Sequence, residues 1–408
     1  MPHGFDFANA KSLRMDSNLG GFGWMKKIRF DSFVSLNRGF DLPDDKIIEG
    51  EYPVIASTSI KAYHNQFKVK APIVVTGRSG SLGKVQYIDR DGWPLNTSLY
   101  AKDYHGNFPK YVYYFLQTMH LEQFNAGAGV PTLNQNHLHS LKLLVHEREQ
   151  QELVANILSR YDEAIDNNNK RIKLLEQMAQ NLYKEWFVRF RFPGYENCEF
   201  ENGIPVGWNF QKLEDFGIVL ESGSRPSGGV DINLEEGIPS LGAECIKGLA
   251  EFDYSNIKYI PLEFYDKMKR GKNKGNHILL YKDGAYIGKV TLFRNQFPFK
   301  KYAINEHVFF LNSKNGNYLN WLFFTLKQDS YFNLMQNLNR NAAQPGLSQP
   351  DICRIKIRIP QEDIVIKFNQ IVEPILNTVF YLAKANQNIA KQRDLLLPRL
   401  MSGKLEVN

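Results

Sequence analysis

The chain has 408 residues, of which 43% are hydrophobic, 13% aromatic and 23% charged. This composition is typical of a folded protein with two or three domains and excludes long disordered segments. A net charge of +7 mildly favours an acidic partner, and no stretch approaches the roughly eighteen apolar residues of a membrane-spanning helix. Three widely separated cysteines match no zinc or disulfide spacing and favour a reducing cytoplasm: Cys198, Cys245 and Cys353.

The first large segment alternates strand-like runs with turns, and one turn, TGRSGSLGKV (76–85), resembles a phosphate-binding loop. A P-loop requires a glycine where Arg78 stands and a hydroxyl residue where Val85 stands, and it leads into a helix rather than a β-rich run. We therefore predict a β-hairpin with glycines at positive φ. Direct DNA contact by Arg78 or Lys84 is the alternative role for this turn.

This hairpin recurs later in the chain. IVVTGRSGSLGKVQYI (73–88) is similar to ILLYKDGAYIGKVTLF (278–293), at an offset of 205 residues. VPTLNQNHLHSLKLLVHE (130–147) is similar to QPGLSQPDICRIKIRIPQ (344–361), at an offset of 214. The chain therefore contains two copies of one unit of about 200 residues, each with a domain and an appendage.

The appendages, residues 147–192 and 361–408, are predicted to be long helices. Their apolar residues recur in steps of three and four, which average 3.5 and indicate a coiled coil. The predicted seam consists of Leu158, Ile165, Ile172, Leu175 and Leu182 in the first helix and Val372, Val379, Leu382, Ile389 and Leu396 in the second.

Polar residues interrupt both seams. Asn168 and Asn386 each stand at a seam position, where one buried polar residue commonly fixes the register of a coiled coil, and Arg393 is a further polar member. The low helix propensity of residues 166–169 and the missing donor of Pro374 predict a local kink at either place.

The repeat of a large domain followed by a long helix, ending in QRDLLLPRLMSGKL (392–405), resembles the specificity subunit of a type I restriction–modification system. EREQQELVANIL (147–158), the QPGLS segment (344–348) and the two Gly-Lys-Val hairpins contribute to the resemblance, which covers residues 25–408.

The resemblance implies an α/β (α+β) fold with a pseudo-twofold tandem repeat. Residues 25–146 and 193–360 would contain the two target recognition domains. Two long antiparallel coiled-coil helices, residues 147–192 and 361–408, would separate them. Residues 1–24 have no counterpart in the second copy; they are either a short N-terminal extension or the result of a misplaced start at a site where Met25 would serve as initiator. They lack the uninterrupted apolar core of a secretory signal.

The function implied by the resemblance is DNA recognition without catalysis. Each domain would read one half of a bipartite, asymmetric sequence on double-stranded DNA, and the helices would set the spacer and dock two adenine-N6 methyltransferase subunits. Motor/nuclease subunits would complete the complex. The chain itself would bind no cofactor, since S-adenosylmethionine, ATP and Mg would be used by the other subunits. The expected location is the cytoplasm, away from any membrane.

Two segments are candidate DNA contacts. The basic run DKMKRGKNKG (266–275) is suited to phosphates, with glycines for flexibility, although it could equally be a solvated loop. The segment NLNRNAAQPG (337–346) carries side-chain types that bind base edges, although glycines replace them in the first copy and favour an architectural role. The candidate side chains are Lys267, Lys269, Arg270, Lys272, Lys274, Arg340, Asn341 and Gln344.

The sequence predicts no catalytic site and no metal site. The Asn/Asp-Pro-Pro-Tyr/Phe segment of adenine methyltransferases is missing, and the acidic stretches IEGEYP (48–53) and NLEEG (233–237) have no repeated lysine partner. His137 and His139 would share a strand face and could bind a metal, but the second copy has no matching histidines.

Two other classes of protein remain to be distinguished. A stand-alone DNA-binding regulator would form a homodimer and bind DNA alone, whereas a specificity subunit would bind specifically only with its methyltransferase. A purely structural coiled-coil scaffold would not need the two large domains.

Overall fold

The computed structural model describes residues 25–127, 129–231, 234–284, 286–338 and 346–407. The chain divides into two compact units, one formed by Met1–Glu163 with Ala390–Asn408 and the other by Ala164–Ile389. The N-terminal segment 1–24 lies outside the described residues. No helix within the described ranges is long and apolar enough to cross a membrane.

Within its described residues, the first unit contains nine strands and three short α-helices before a long helix begins. The strands are β1 (Met25–Arg29), β2 (Ser35–Arg38), β3 (Tyr52–Ile55), β4 (Ile60–His64), β5 (Ile73–Gly77), β6 (Val85–Ile88), β7 (Trp93–Pro94), β8 (Ser98–Asp103) and β9 (Lys142–His146). The short helices are α1 (Phe30–Phe33), α2 (Pro109–Thr118) and α3 (Gln135–His139).

Three small sheets organise this unit: β2-β8-β5-β6, β4-β3-β7 and the antiparallel pair β1-β9. Every residue of β5 is buried, in keeping with its continuous apolar sequence and its position between β8 and β6. Phe30, Phe33, Tyr111 and Phe115 form an aromatic core with Leu158 of the long helix.

The second unit repeats this arrangement. Its strands are β10 (Phe200–Glu201), β11 (Ile204–Pro205), β12 (Asn209–Lys212), β13 (Ile218–Ser222), β14 (Ile238–Leu241), β15 (Tyr259–Ile260), β16 (His277–Tyr281), β17 (Val290–Phe293), β18 (Ala303–Ile304), β19 (Val308–Ser313) and β20 (Lys356–Ile359). The sheets β13-β19-β16-β17, β15-β14-β18 and β12-β20 have the same strand orders as their counterparts in the first unit. The tandem repeat predicted from sequence is therefore confirmed in the fold.

Two long helices complete the chain. The helix α4 (Arg148–Tyr183) continues as a π-helical turn, Lys184–Val188, and α9 (Glu362–Met401) ends near the C-terminus. Between them in sequence lie α5 (Leu262–Lys267), α6 (Leu319–Leu326), α7 (Asp329–Asn337) and α8 (Gln349–Cys353). The helix α4 is continuous through residues 166–169, and α9 is continuous through Pro374. These are the two places where the sequence predicted a local kink.

The two long helices contact each other in antiparallel register within each unit. In the first unit Leu158 packs in one core with Leu397 and Leu400. In the second, Ile172 and Ala179 share a core with Val379. Every residue of the predicted seam is buried or half-buried.

Arg294, at the end of β17, fixes the second unit's domain to α9. Its side chain is 3% exposed and forms an ion pair with Glu373 and hydrogen bonds to Asn320 and Asn377. The cavity of about 570 Å³ beside it is lined by Asn276, Arg294, Gly316, Asn317, Leu319, Asn320, Ile366, Asn369, Gln370, Glu373 and Pro374. The charge of Arg294 is already neutralised by Glu373, so we assign this cluster to the attachment of the domain.

Candidate nucleic-acid interface

Three loops meet at the hairpin turn of the first unit. The backbone N–H groups of Arg78 and Ser79 donate to Thr97 O at 2.8 and 3.1 Å, which joins the turn to the loop before β8. Gly80 N donates to Pro131 O at 2.9 Å, and Leu133 N donates to Arg78 O at 2.8 Å. We call this meeting point, formed by residues 78–84, 95–97 and 131–133, the first junction.

The second unit builds the same meeting point from its own copies of these segments. Lys282 N donates to His307 O at 3.0 Å, and Leu347 N donates to Lys282 O at 3.0 Å. Asp283 pairs with Gly346 in an isolated bridge. Residues 282–284, 286–289, 305–307 and 346–347 therefore form a second junction with the backbone frame of the first.

The first junction presents cations that lack acidic partners. Arg78 is half-buried and donates from Nη1 to Asn96 O at 3.3 Å, but it forms no ion pair with a described residue. Lys84 is exposed; its carbonyl accepts from Thr76 Oγ1 at 3.1 Å, but its ammonium forms no ion pair with a described residue. Gly83 has a φ of +89°, and an added Cβ would lie 2.5 Å from Glu122 Oε2, so the turn requires glycine there.

The second junction presents a network of opposite charges. Asp283 Oδ2 lies 3.2 Å from Nδ1 of His307, whose Nε2 lies 3.4 Å from Glu306 Oε1. Arg225 Nε lies 2.7 Å from the same Glu306 oxygen. At the tip of the hairpin Tyr286 is 62% exposed.

The C-terminal part of the basic run in the second unit makes backbone contacts with β18. The backbone of Lys272 pairs with Ala303 in an isolated antiparallel β-bridge, and Ile304 N donates to Gly271 O at 2.9 Å. Gly271 has a φ of +75°, and an added Cβ would lie 2.6 Å from the Gly223 backbone. Residues 271–273 therefore pair with the backbone of residues 302–304 through one isolated β-bridge, and Gly271 permits this close approach.

The side chains of the basic run divide into two groups. Lys267, Lys269 and Arg270 are exposed and make no hydrogen bond or ion pair within the described part of the chain. Lys272 lies over the ring of Tyr265 at 4.8 Å, and Lys274 Nζ lies 3.7 Å from Glu221 Oε1.

His277, at the start of β16, positions the end of this run. Its Nε2 accepts a hydrogen bond from Lys274 N at 3.0 Å, and its ring stacks on Phe310 at 4.2 Å. Burial lowers the pKa of His277 to about 4, so the ring is neutral at physiological pH and can accept this bond.

A matching pair of lysines in the first unit was missed by the sequence reasoning. Lys68 N donates to Gly92 O at 3.0 Å beside β7, and the Lys68 ammonium lies 4.9 Å from the ring centre of Trp93. Lys68 and Lys70 correspond to Lys272 and Lys274 at an offset of 204 residues. The signal was present as FKVKAP (67–72) against GKNKGN (271–276), but only the Lys-x-Lys pattern is shared.

Other candidates are not brought to these junctions or cannot be placed. Arg340, Asn341 and Gln344 lie outside the described residues. His137 and His139 lie on the short helix α3, so the expected strand face is wrong. His139 Nε2 accepts from Leu36 N at 3.2 Å, a structural role. No group of metal-ligating side chains occurs among the described residues.

Comparison with known proteins identifies the family. The sequence model of the type I restriction modification DNA specificity domain matches residues 25–177 and 205–389. The chain belongs to this family. It is a DNA specificity subunit of a type I restriction–modification system and performs no catalysis by itself.

Relatives and a solved structure agree with the family. The MjaIX specificity subunit of Methanocaldococcus jannaschii is 28% identical, with 86% of this chain and 82% of that protein covered. The MjaVIII specificity subunit of the same organism is 21% identical, over 89% and 88%. The S subunit from M. genitalium has a similar fold, with a TM-score of 0.57, 17% identity and coverage of 97% and 99%.

Proposed function

We propose that the two junctions are the DNA-reading surfaces of this specificity subunit, each contacting one half of a bipartite target on double-stranded DNA. The observation that carries this proposal is that one backbone frame of three loops is built twice in one chain and carries different side chains in each copy. Two copies of one backbone frame would read two half-sites, and their different side chains would recognise two different DNA sequences.

Cations on two matched segments, which pair beside β7 in the first unit and with β18 in the second, would contact phosphates. Lys68 and Lys70 in the first unit, and the basic run 266–275 in the second, would position the duplex without reading its sequence. The backbone contacts of Gly271 and Lys272 with β18 support this role, because they restrict the chain that carries the cations and so lower the conformational entropy lost on binding.

The long helices would set the spacer and bind the other subunits. Four of their apolar side chains are at least half exposed: Leu174 (60%), Met178 (57%), Tyr381 (72%) and Leu395 (54%). Apolar side chains outside a helix seam suit a protein partner, here the two methyltransferase subunits. Those subunits and the motor/nuclease subunits would use S-adenosylmethionine, ATP and Mg, in the cytoplasm.

Mapping N6-methyladenine in cells with and without this chain tests the function. With its methyltransferase present, we expect methylation at a single bipartite sequence that disappears when the chain is deleted. Sequence-specific binding by a homodimer of the chain alone, without any change in methylation, would instead indicate a stand-alone regulator.

A further inference from the structure

The two junctions begin with matched backbone positions. The backbone carbonyl of Arg78 accepts from Leu133 N, and that of Lys282 accepts from Leu347 N. The backbone N–H of Arg78 donates to Thr97 O, and that of Lys282 donates to His307 O. Lys282 is therefore the structural counterpart of Arg78, and His307 occupies the place of Thr97. Asp283, one residue further on, pairs with Gly346 as Ser79 pairs with Thr132.

The two junctions leave different groups available at these positions. The Lys282 ammonium is engaged internally, since Nζ donates to Glu306 O at 3.1 Å, lies 3.7 Å from Asp283 Oδ2 and lies over the ring of Phe309. The Arg78 guanidinium has no such acidic neighbour among the described residues. The first junction therefore offers the guanidinium donors of Arg78, whereas the second offers Oδ1 of Asp283, whose Oδ2 is engaged by Lys282 and His307.

Each side chain is held by its surroundings. The backbone of Arg78 is bonded on both sides, through Thr97 and Leu133, and its guanidinium keeps donors that no described carboxylate occupies. Asp283 is held through Oδ2 by His307, and its Oδ1 makes no hydrogen bond to a described residue. These contacts restrict both residues, which suits base reading because less conformational freedom is lost when DNA binds.

The chemistry of base edges separates these two groups. An arginine donates two hydrogen bonds to O6 and N7 of guanine, whereas a carboxylate accepts from the N4 amino group of cytosine. We propose that Arg78 reads a guanine in one half-site and that Asp283, oriented by His307, reads a cytosine in the other. This inference rests on the proposed function of the junctions.

Methylation maps of Arg78→Ala and Asp283→Asn in the complete complex test the proposal. We expect Arg78→Ala to relax one guanine position of one half-site by roughly 5- to 150-fold. Asp283→Asn should change the preference at one cytosine position of the other half-site towards adenine, which asparagine recognises. Arg90→Ala and Asp215→Asn, at exposed positions outside both junctions, are the matched controls and should preserve every position.

Some variants could lose methylation altogether. For these, selection of bound duplexes from a randomised library with the same purified complexes measures the base preference of binding. Melting temperatures near that of the wild type would establish that they are folded. Unchanged base preferences in both variants would overturn the proposal. So would a uniform loss of affinity for all sequences, with a log–log salt slope lower by about 0.9, since that would make Arg78 a phosphate contact. Failure of the wild-type chain to direct bipartite methylation would instead refute the proposed function.

Discussion

Arg393 of α9 donates from Nη1 to Asp162 Oδ1 of α4 at 2.5 Å, within the first unit. The other carboxylate oxygen accepts from the Tyr114 hydroxyl at 2.5 Å, so one aspartate joins both helices to the domain core. Burial by itself lowers the pKa of Arg393, but the bonds to Asp162 and Asp394 outweigh burial. The pKa of Arg393 is therefore raised above its ordinary value. Positions 376 and 179, which match Asp162 and Arg393 in the other copy, are a leucine and an alanine.

Removing Asp162 alone should destabilise the first unit. Asp162→Leu leaves Arg393, whose side chain is only 25% exposed, with Asp394 as its one remaining carboxylate partner among the described residues, and we expect a loss of about 1–3 kcal/mol in the free energy of unfolding. Chemical denaturation measures this loss.

A matched triple variant separates the ion pair from its surroundings. Asp162→Leu, Arg393→Ala and Tyr114→Phe install the residues found at the matching positions of the second copy: Leu376, Ala179 and Phe324. We expect the triple variant to recover most of the lost stability, because no polar group is left buried without a partner. A triple variant no more stable than Asp162→Leu would show that the polar cluster is not the source of the effect.

Neutralising the basic run should weaken binding to all DNA sequences. With Lys267, Lys269, Arg270, Lys272 and Lys274 changed to alanine, the log–log salt slope should fall by roughly 0.9 for each phosphate that the run no longer neutralises. The slope is measured from binding of the assembled complex to labelled duplexes over a range of salt concentrations. Lys212→Ala with Lys314→Ala is the control pair, and an unchanged slope in the run variant would make the run a solvated surface.

Replacement of His277 should change how stability depends on pH. Its pKa is lowered to about 4 by burial, below the value of about 6.5 in an unfolded chain. As the pH falls, the unfolded state therefore binds a proton before the folded state does. The stabilisation from neutral His277 is fully present above pH 6.5 and is lost as the pH falls towards 4, by about 3 kcal/mol in total.

Unfolding free energies of the wild type and His277→Gln between pH 4 and 7 test this. The variant is expected to be less stable at pH 7, but with a shallower decline on acidification. His139 and His146, whose pKa values burial also lowers, remain in both proteins and cancel in the comparison. Equal slopes would mean that the pKa of His277 is the same in the folded and the unfolded protein.

Lengthening both helices by four residues should lengthen the DNA spacer. Asn168 Nδ2 donates to Asn386 Oδ1 at 2.8 Å, and Asn386 Nδ2 donates to Asn169 Oδ1 at 2.8 Å, which fixes the pairing at this level. Insertion of four residues beside each of these sites adds about 6 Å, close to two base pairs at about 3.4 Å each. A methylation map should then show unchanged half-sites with a spacer longer by one or two base pairs.

The insertion also has an internal control. Four residues in α4 alone would shift Asn168 and Asn169 away from Asn386, so the single insertion should lower stability more than the paired one. An active paired variant that keeps the original spacing would show that these helices do not measure DNA.

The sequence predicted the elements whose signals are local, and it could not predict contacts between distant segments. The hairpins follow from β-branched runs around glycines, and the helix seams from steps of three and four residues. The network of Asp283, Glu306, His307 and Arg225 joins three separate segments, so no spacing in the sequence reveals it. The unbroken helix through residues 166–169 shows tertiary packing prevailing over weak local propensity.

Replacing residues 25–146 by the corresponding domain of a relative tests the central claim most directly. The two copies have separate sheets and junctions, so each should read its half-site independently. A methylation map of the chimaera, assembled with the same methyltransferase, should show one new half-site, the second half-site unchanged and the original spacer. A change in both half-sites would contradict the account of one chain with two independent readers.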